Sequence, residues 1–343
     1  MKKLILILSC LLMENCLSYL GHLAIGQLQI LAKREKLELA IESSEDPTIQ
    51  EKLKLIQSVR QFSIDQLGLN PGGGFEYYTQ LDREEIGWHV TASYPLKMQS
   101  YTWWFPIVGE VPYKGFFQRE KAIQLQEDLK EKGLDTKLRI TAGYSTLGWF
   151  SDPVLSPQLK LSEPDLVGLV IHEMSHSTIY FPGDSLFNES YASFVEDKGV
   201  EIFYNTTFPE RSESILKIWK ERKKLKKKLV EEFLITGRKL EFEYNSEKSD
   251  EEKYQAKKTI LDSFKSKIHE MNQSNPSKIL ERLEHSEINN ETFIGFLRYE
   301  SGEEYFQRVF SDVDEKFTAF HNEIKKLELV PEEKRKELLL NAK

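Results

Sequence analysis

The sequence predicts an α+β fold, mainly helical, with a small mixed sheet beside one buried helix and a long helical C-terminal region. Three observations carry that expectation. Apolar residues recur at helical spacing near the N-terminus and again beyond residue 200. Between Phe75 and Gly148 the pattern changes to short runs rich in Tyr, Trp, Val and Thr, which read as strands. The run Leu166, Val167, Leu169, Val170, Ile171 is apolar nearly all round, as a buried helix requires. A chain of 343 residues with 40% hydrophobic and 11% aromatic content can bury a large core, as one big domain or two small ones.

In chain order, Lys2-Lys3 followed by apolar Leu4 to Met13 reads as a targeting segment, its apolar part too short to span a bilayer. Both cysteines of the chain, Cys10 and Cys16, fall here, so no disulfide framework is expected; a Cys at the end of such a segment suggests a lipid-anchored, exported protein. Ser9 before Cys10 is the better local match, whereas Cys16 leaves an apolar region of proper length. Tyr19 to Leu67 reads as two helices, with Leu20, Leu23, Leu28 and Leu31, then Leu53, Ile56, Val59 and Phe62, at helical intervals. Ser43 to Pro47 is the loop between them, and Asn70-Pro-Gly-Gly-Gly74 is the clearest linker signal. Strands are expected at Trp88–Tyr94 and Leu138–Gly143, with a helix over Arg119–Lys132 between them. From Val200 onward the chain is helical and heavily charged. The basic run Lys217 to Lys228 is followed by many acidic residues, and Leu216, Trp219, Leu225, Leu229 and Phe233 recur at helical intervals. An amphipathic helix with a solvated outer face accounts for it. With a net charge of −8, nucleic acid is not expected as a partner, and no Gly-rich phosphate-binding motif points to a nucleotide.

The chemistry concentrates in His172-Glu173-Met174-Ser175-His176. Residues four apart share one helix face, so both imidazoles can address one metal ion, and the intervening Glu can take a proton from a water beside it. Ser162 is a candidate N-cap with Asp165 three residues on. Two histidines and a carboxylate on a buried helix need partners, because burying unpaired polar groups is costly. A catalytic zinc takes three protein ligands and keeps one position open. The third-ligand candidate is Glu189, on a second helix that follows the turn Pro182-Gly183-Asp184 and that Asn188 could cap. Glu196, two turns along the same face, competes as ligand or as partner to a His ring N–H. The other histidines, His22, His89, His269, His285 and His321, are scattered singly and read as surface or packing residues.

Taken together, the apolar run, H-E-x-x-H and Pro182-Gly-Asp-Ser-Leu-Phe-Asn-Glu-Ser-Tyr-Ala-Ser-Phe-Val195 resemble the signature of a bacterial family of predicted aminopeptidases. That family is akin to zinc peptidases with two His and one Glu as ligands. Thr102 to Phe116, Ala142 to Leu155, and Asn289-Asn290 upstream of Tyr299 fit it as well, so the resemblance runs over nearly the whole chain. It implies a zincin-like core, one catalytic Zn²⁺ held by His172, His176 and Glu189, and a Cys16 lipid anchor at the cell envelope. The segments then expected are 1–16 anchor, 17–70 N-terminal helices, 71–204 catalytic core, and 205–343 charged helices completing the cleft.

The expected activity is hydrolysis of peptide bonds, with Glu173 as general base and an aminopeptidase as the preferred mode. Tyr299 is the candidate donor to the carbonyl oxygen that becomes negative, with Tyr180 and Tyr144 as runners-up. The edge around Ile140–Tyr144 could bind the substrate backbone by strand addition. Glu196 or Asp184 could receive the substrate ammonium. An envelope-anchored zinc endopeptidase and a non-catalytic, zinc-stabilised lipoprotein are the rival functions; a structural zinc site is usually closed by four ligands, often Cys, and none is near.

Overall fold

In the computed structural model, residues 19, 21–72, 74–105, 109–141, 152–296 and 302–340 are described. The targeting segment with Cys10 and Cys16, and both Tyr144 and Tyr299, lie outside them. The chain forms two compact units, each assembled from three stretches: Gln27–Ile86, Ala142–Lys223 and Tyr299–Lys343 make the motif unit, and Met1–Gly26, Gly87–Thr141 and Lys224–Arg298 make the sheet unit. The borders expected at 70/71 and 204/205 are not those of the two units. Residue 204 lies inside a helix, and Asn70 is bonded to Thr178 and Ser177 within the motif unit, so the Pro-Gly-rich stretch is a turn and not a linker.

Helix α1 covers residues 21–32 and contributes to both units. In the motif unit, α2 (Leu37–Ser43) and α3 (Pro47–Asp65) follow. Asp46 caps α3 by accepting from Thr48 N, and Pro47 occupies its first turn. Leu53, Ile56, Val59 and Phe62 are buried at the spacing read from the sequence. The motif helix is α5 (Glu163–Thr178), and α6 (Ser185–Thr207) packs against it. A methyl group at Gly199 of α6 would lie 2.8 Å from Leu67 Cδ1 and 3.0 Å from Ile171 Cδ1, so the glycine permits the close approach. α11 (Glu303–Asp312), α12 (Phe317–Lys325) and α13 (Glu332–Leu340) complete the unit. Phe187, Tyr191, Phe194, Phe306, Phe310 and Phe320 form its aromatic core. Rings in this arrangement add to area burial and hold α6 rigidly.

The sheets differ from the single mixed sheet expected. Among the described residues, the motif unit holds a three-stranded sheet of β1 (Glu35–Lys36), β2 (Tyr77–Thr79) and β8 (Val154–Leu155), antiparallel on one side and parallel on the other. The Trp- and Val-rich runs belong to the sheet unit. There β3 (Trp88–Ser93) is flanked antiparallel by β6 (Tyr113–Phe116) and β7 (Asp135–Ile140). Trp88, Val90 and Ala92 point inward on alternate residues and α4 (Arg119–Glu131) covers them with Ala122 and Leu129. A hairpin of β4 (Trp103–Phe105) and β5 (Gly109–Val111) stands apart. Strand β7 begins three residues before the expected Leu138, because the register Ser93↔Asp135 extends the pairing upstream.

α7 (Pro209–Tyr244) contributes its first part to the motif unit and the rest to the sheet unit. Leu216, Trp219, Leu229 and Phe233 are buried along it, while Lys226, Lys227 and Lys228 are exposed, as an amphipathic helix requires. α8 (Asp250–Ser274), α9 (Lys278–Glu284) and α10 (Asn290–Ile294) finish the sheet unit. Among the described residues no helix is long and apolar enough to cross a membrane.

Candidate metal centre

Helix α5 enters its core through Leu166, Val167, Val170 and Ile171, all buried, and then presents His172 and His176 one turn apart. Ser162 stands at its N-cap position, but the Ser162 hydroxyl bonds the Asp165 carboxylate instead of a helix N–H. The second helix also starts differently from expectation. Asp184 caps α6 by accepting from Phe187 N, and Asn188 lies inside the helix, its amide bonded to both backbone groups of Phe181. Glu189 therefore sits in the second turn of α6. Asn188 fixes the loop between the helices, and with it the height at which Glu189 meets α5.

Three donor atoms converge. His172 Nε2 and His176 Nε2 are 3.2 Å apart, and Glu189 places Oε2 3.4 Å from the first and Oε1 3.5 Å from the second. Ligands held at about 2.0–2.1 Å in a tetrahedron stand roughly 3.4 Å from one another. The separation of the two Nε2 atoms, and of each from one of the two Glu189 oxygens, is of that size. His172, His176 and Glu189 are the group among the described residues able to hold one metal ion in this way. The donor set suits zinc: two imidazoles and one carboxylate, with no cysteine.

The electrostatics are those of a site short of positive charge. Burial disfavours a charged His172, but hydrogen bonds from Glu189 and Glu196, with the charges of Glu196 and Glu173, outweigh it and push the ring up to about 10. His176 is driven down to about 4 by burial and by the neighbouring His172 cation. The two rings are thus shifted in opposite directions by surroundings they share. Glu173 is raised above the usual carboxylate range, first by burial and then by Glu189, Asp152 and Glu196, with His172 opposing.

Of the places left open for Glu196, the structure puts its carboxylate against the His172 ring. Its Oε2 lies 3.1 Å from His172 Nδ1, which leaves Nε2 for the metal. Asp184 is committed elsewhere: it caps α6 and pairs with Arg335 at 2.7 Å, both side chains buried. Tyr180 is exposed beyond the end of α5. Ile140 is the exposed last residue of β7 in the sheet unit, and the rest of the expected binding edge, 142–144, lies outside the described residues. Lys223 and Gly168, which frame Glu196, were not singled out by sequence reasoning. Lys223 was read as part of a solvated lysine run, and only its spacing of four from buried Trp219 marks it as different.

No curated protein and no solved structure matches the chain. The family described as "Putative aminopeptidase" matches residues 18–339, which supports a peptidase function in general. Spanning nearly the whole sequence, that match makes this chain a member of the aminopeptidase family.

Proposed function

We propose that this protein is a zinc-dependent peptidase acting as an aminopeptidase. The observation that carries the proposal is the convergence of His172 Nε2, His176 Nε2 and the Glu189 carboxylate, one oxygen of which lies near each ring, with Glu173 beside them on the same helix. His172, His176 and Glu189 would hold the zinc. Bound there, the ion would lower the pKa of a water and polarise the scissile carbonyl. Glu173, one residue after His172, accepts a proton from the attacking water and later returns it to the leaving amine. Burial and the neighbouring carboxylates raise its affinity for a proton. Glu196 keeps the His172 ring oriented through Nδ1. Tyr299 is proposed as the donor to the oxygen that becomes negative, on the family resemblance of its stretch alone. Residues 1–16 are proposed as the export and lipid-anchoring segment, placing the enzyme at the cell envelope; Lys2-Lys3, the apolar Leu4–Met13 and the cysteines support this.

The test is hydrolysis of short peptides with free and with acetylated N-termini by the wild type and by Glu173→Gln. The wild type is expected to cleave the free peptides in preference. Glu173→Gln is nearly isosteric and keeps peptide binding, but its turnover is expected to fall roughly 10²–10⁴-fold. Equal cleavage of blocked peptides would convert the assignment to an endopeptidase, and an undiminished Glu173→Gln would remove the proposed base.

A further inference from the structure

Glu196 connects the motif helix to a lysine that no motif marks. One carboxylate oxygen meets His172 Nδ1 at 3.1 Å, and the other lies 3.5 Å from Lys223 Nζ. Lys223 also pairs with Asp197 at 2.5 Å and lies over the Trp219 ring, 4.8 Å from its centroid. Its ammonium is thus held between two carboxylates of α6 and an indole of its own helix, with a quarter of the side chain exposed. This is unlike the exposed lysines that follow it.

The space for the carboxylate is made by a glycine. Gly168 lies one turn before His172 on α5, and a methyl group there would sit 2.9 Å from Glu196 Oε1 and 3.1 Å from Trp219 Cη2. A glycine inside a helix is destabilising relative to alanine. Here it leaves a slot through which α6 reaches the back of the His172 ring. Glu196 shares its surroundings with Glu173, Glu189 and Asp197, all of the same sign. The Lys223 ammonium beside Oε1 offsets that like charge and complements the contact of Oε2 with His172.

We propose that Lys223 is a positioning residue of the metal centre: it holds Glu196 against His172 Nδ1, in the slot left by Gly168, so that His172 Nε2 faces the point shared with His176 and Glu189. The proposal rests on the zinc reading of that site. A purely structural Lys223 would instead pair with Asp197 and pack on Trp219 with no effect transmitted through Glu196.

The experiment is zinc affinity, measured on the full chain by competition with a chromophoric chelator. The variants are Lys223→Met, Lys223→Arg, Gly168→Ala, Glu196→Gln and the double variant Lys223→Met/Glu196→Gln, with thermal melts of the metal-free proteins as a control of folding. Partners one step behind a ligand typically change metal affinity 10–100-fold. Lys223→Met and Glu196→Gln are each expected to weaken zinc binding about tenfold or more, and the double variant no more than Glu196→Gln alone. Lys223→Arg is expected to recover most of the loss. Gly168→Ala keeps every charge but crowds the carboxylate, so it too should weaken binding; it stands in for Lys223→Met if that chain fails to fold. Unchanged affinity in Lys223→Met or in its stand-in, or the same loss with and without the Glu196 carboxylate, overturns the positioning role while leaving the zinc site intact. A wild type that binds no zinc overturns both.

Discussion

Each unit of the molecule buries a polar cluster, and the two clusters are built on opposite terms. In the sheet unit, Lys257 pairs with Asp135 at 2.6 Å and reaches Pro95 O at 3.0 Å. Asn290, fully buried, donates to the carbonyls of Tyr94, Pro95 and Lys97, accepts from the Tyr244 hydroxyl at 2.8 Å, and gives its own N–H to Asp135. One cation meets one anion, and donors meet acceptors. In the motif unit two imidazole nitrogens face each other at 3.2 Å, with Glu189 against both and Glu173 and Glu196 close by. Acceptors and negative charge are in excess. A cluster that satisfies itself serves the fold, whereas one that converges with charge left over requires a cation from outside, and that difference distinguishes a candidate centre from a buried network.

The contrast predicts that the motif unit, and not the sheet-unit cluster, responds to added metal. Zinc added at about a thousand times its dissociation constant stabilises a single site by roughly 4 kcal/mol. The wild-type Tm is therefore expected to rise with zinc and fall with a chelator, while His176→Ala shows neither change. A zinc-insensitive Tm would place the two clusters in the same class.

The sheet-unit cluster is expected to carry stability alone. Lys257→Met leaves Asp135 without its cation in a mostly buried position, which costs roughly 3 kcal/mol. Urea unfolding should register that loss, and peptide turnover per folded molecule should stay within about twofold of wild type. A selective loss of turnover would mean that this network also serves the reaction.

His321 refines the comparison from inside the motif unit, because it is a buried imidazole that is satisfied. Its Nε2 donates to Leu67 O at 2.8 Å and Nδ1 accepts from the Tyr191 hydroxyl at 2.9 Å, so the ring is neutral. Burial lowers it to about 4 from the usual 6.5. Between those values the unfolded chain binds the proton and the folded chain does not. This contribution is whole above pH 6.5 and is lost as the pH falls through 4, by roughly 2–3 kcal/mol in all. The stability difference between wild type and His321→Gln should shrink by that amount on acidification from pH 7 to 4. A pH-independent difference would mean that the ring titrates normally.

The sequence makes these clusters legible to different degrees. His172 and His176 are readable because a spacing of four means one helix face, and the apolar residues before them mean burial. Glu189 is readable as a carboxylate after a turn, although its place in α6 is not, since Asp184 and Asn188 are both good caps and only the Phe181 backbone decides between them. Strands β1, β2 and β8 have two or three residues each, too few for an alternation to register, so the sheet beside the motif helix could not be told from the larger one. The Trp88 strand is legible because the run Trp88-His-Val-Thr-Ala-Ser-Tyr94 is rich in Trp, Tyr, Val and Thr. Lys223 is hidden by its neighbours: a half-buried lysine within a lysine run gives no local signal, and the role proposed for it depends on Gly168 and Glu196, which are distant in sequence. Asp184 looked available for a substrate because its partner, Arg335, lies near the other end of the chain.

The central claim is that His172, His176 and Glu189 together hold one zinc ion. Its most direct test is the metal content of the purified full chain after dialysis against trace zinc, compared with His176→Ala, Glu189→Ala and Glu173→Gln. One zinc per chain is expected in the wild type and in Glu173→Gln, whose side chain is a base and not a ligand, and almost none in the other two, since two remaining protein ligands bind far more weakly than three. Full zinc occupancy in His176→Ala and Glu189→Ala would contradict the claim.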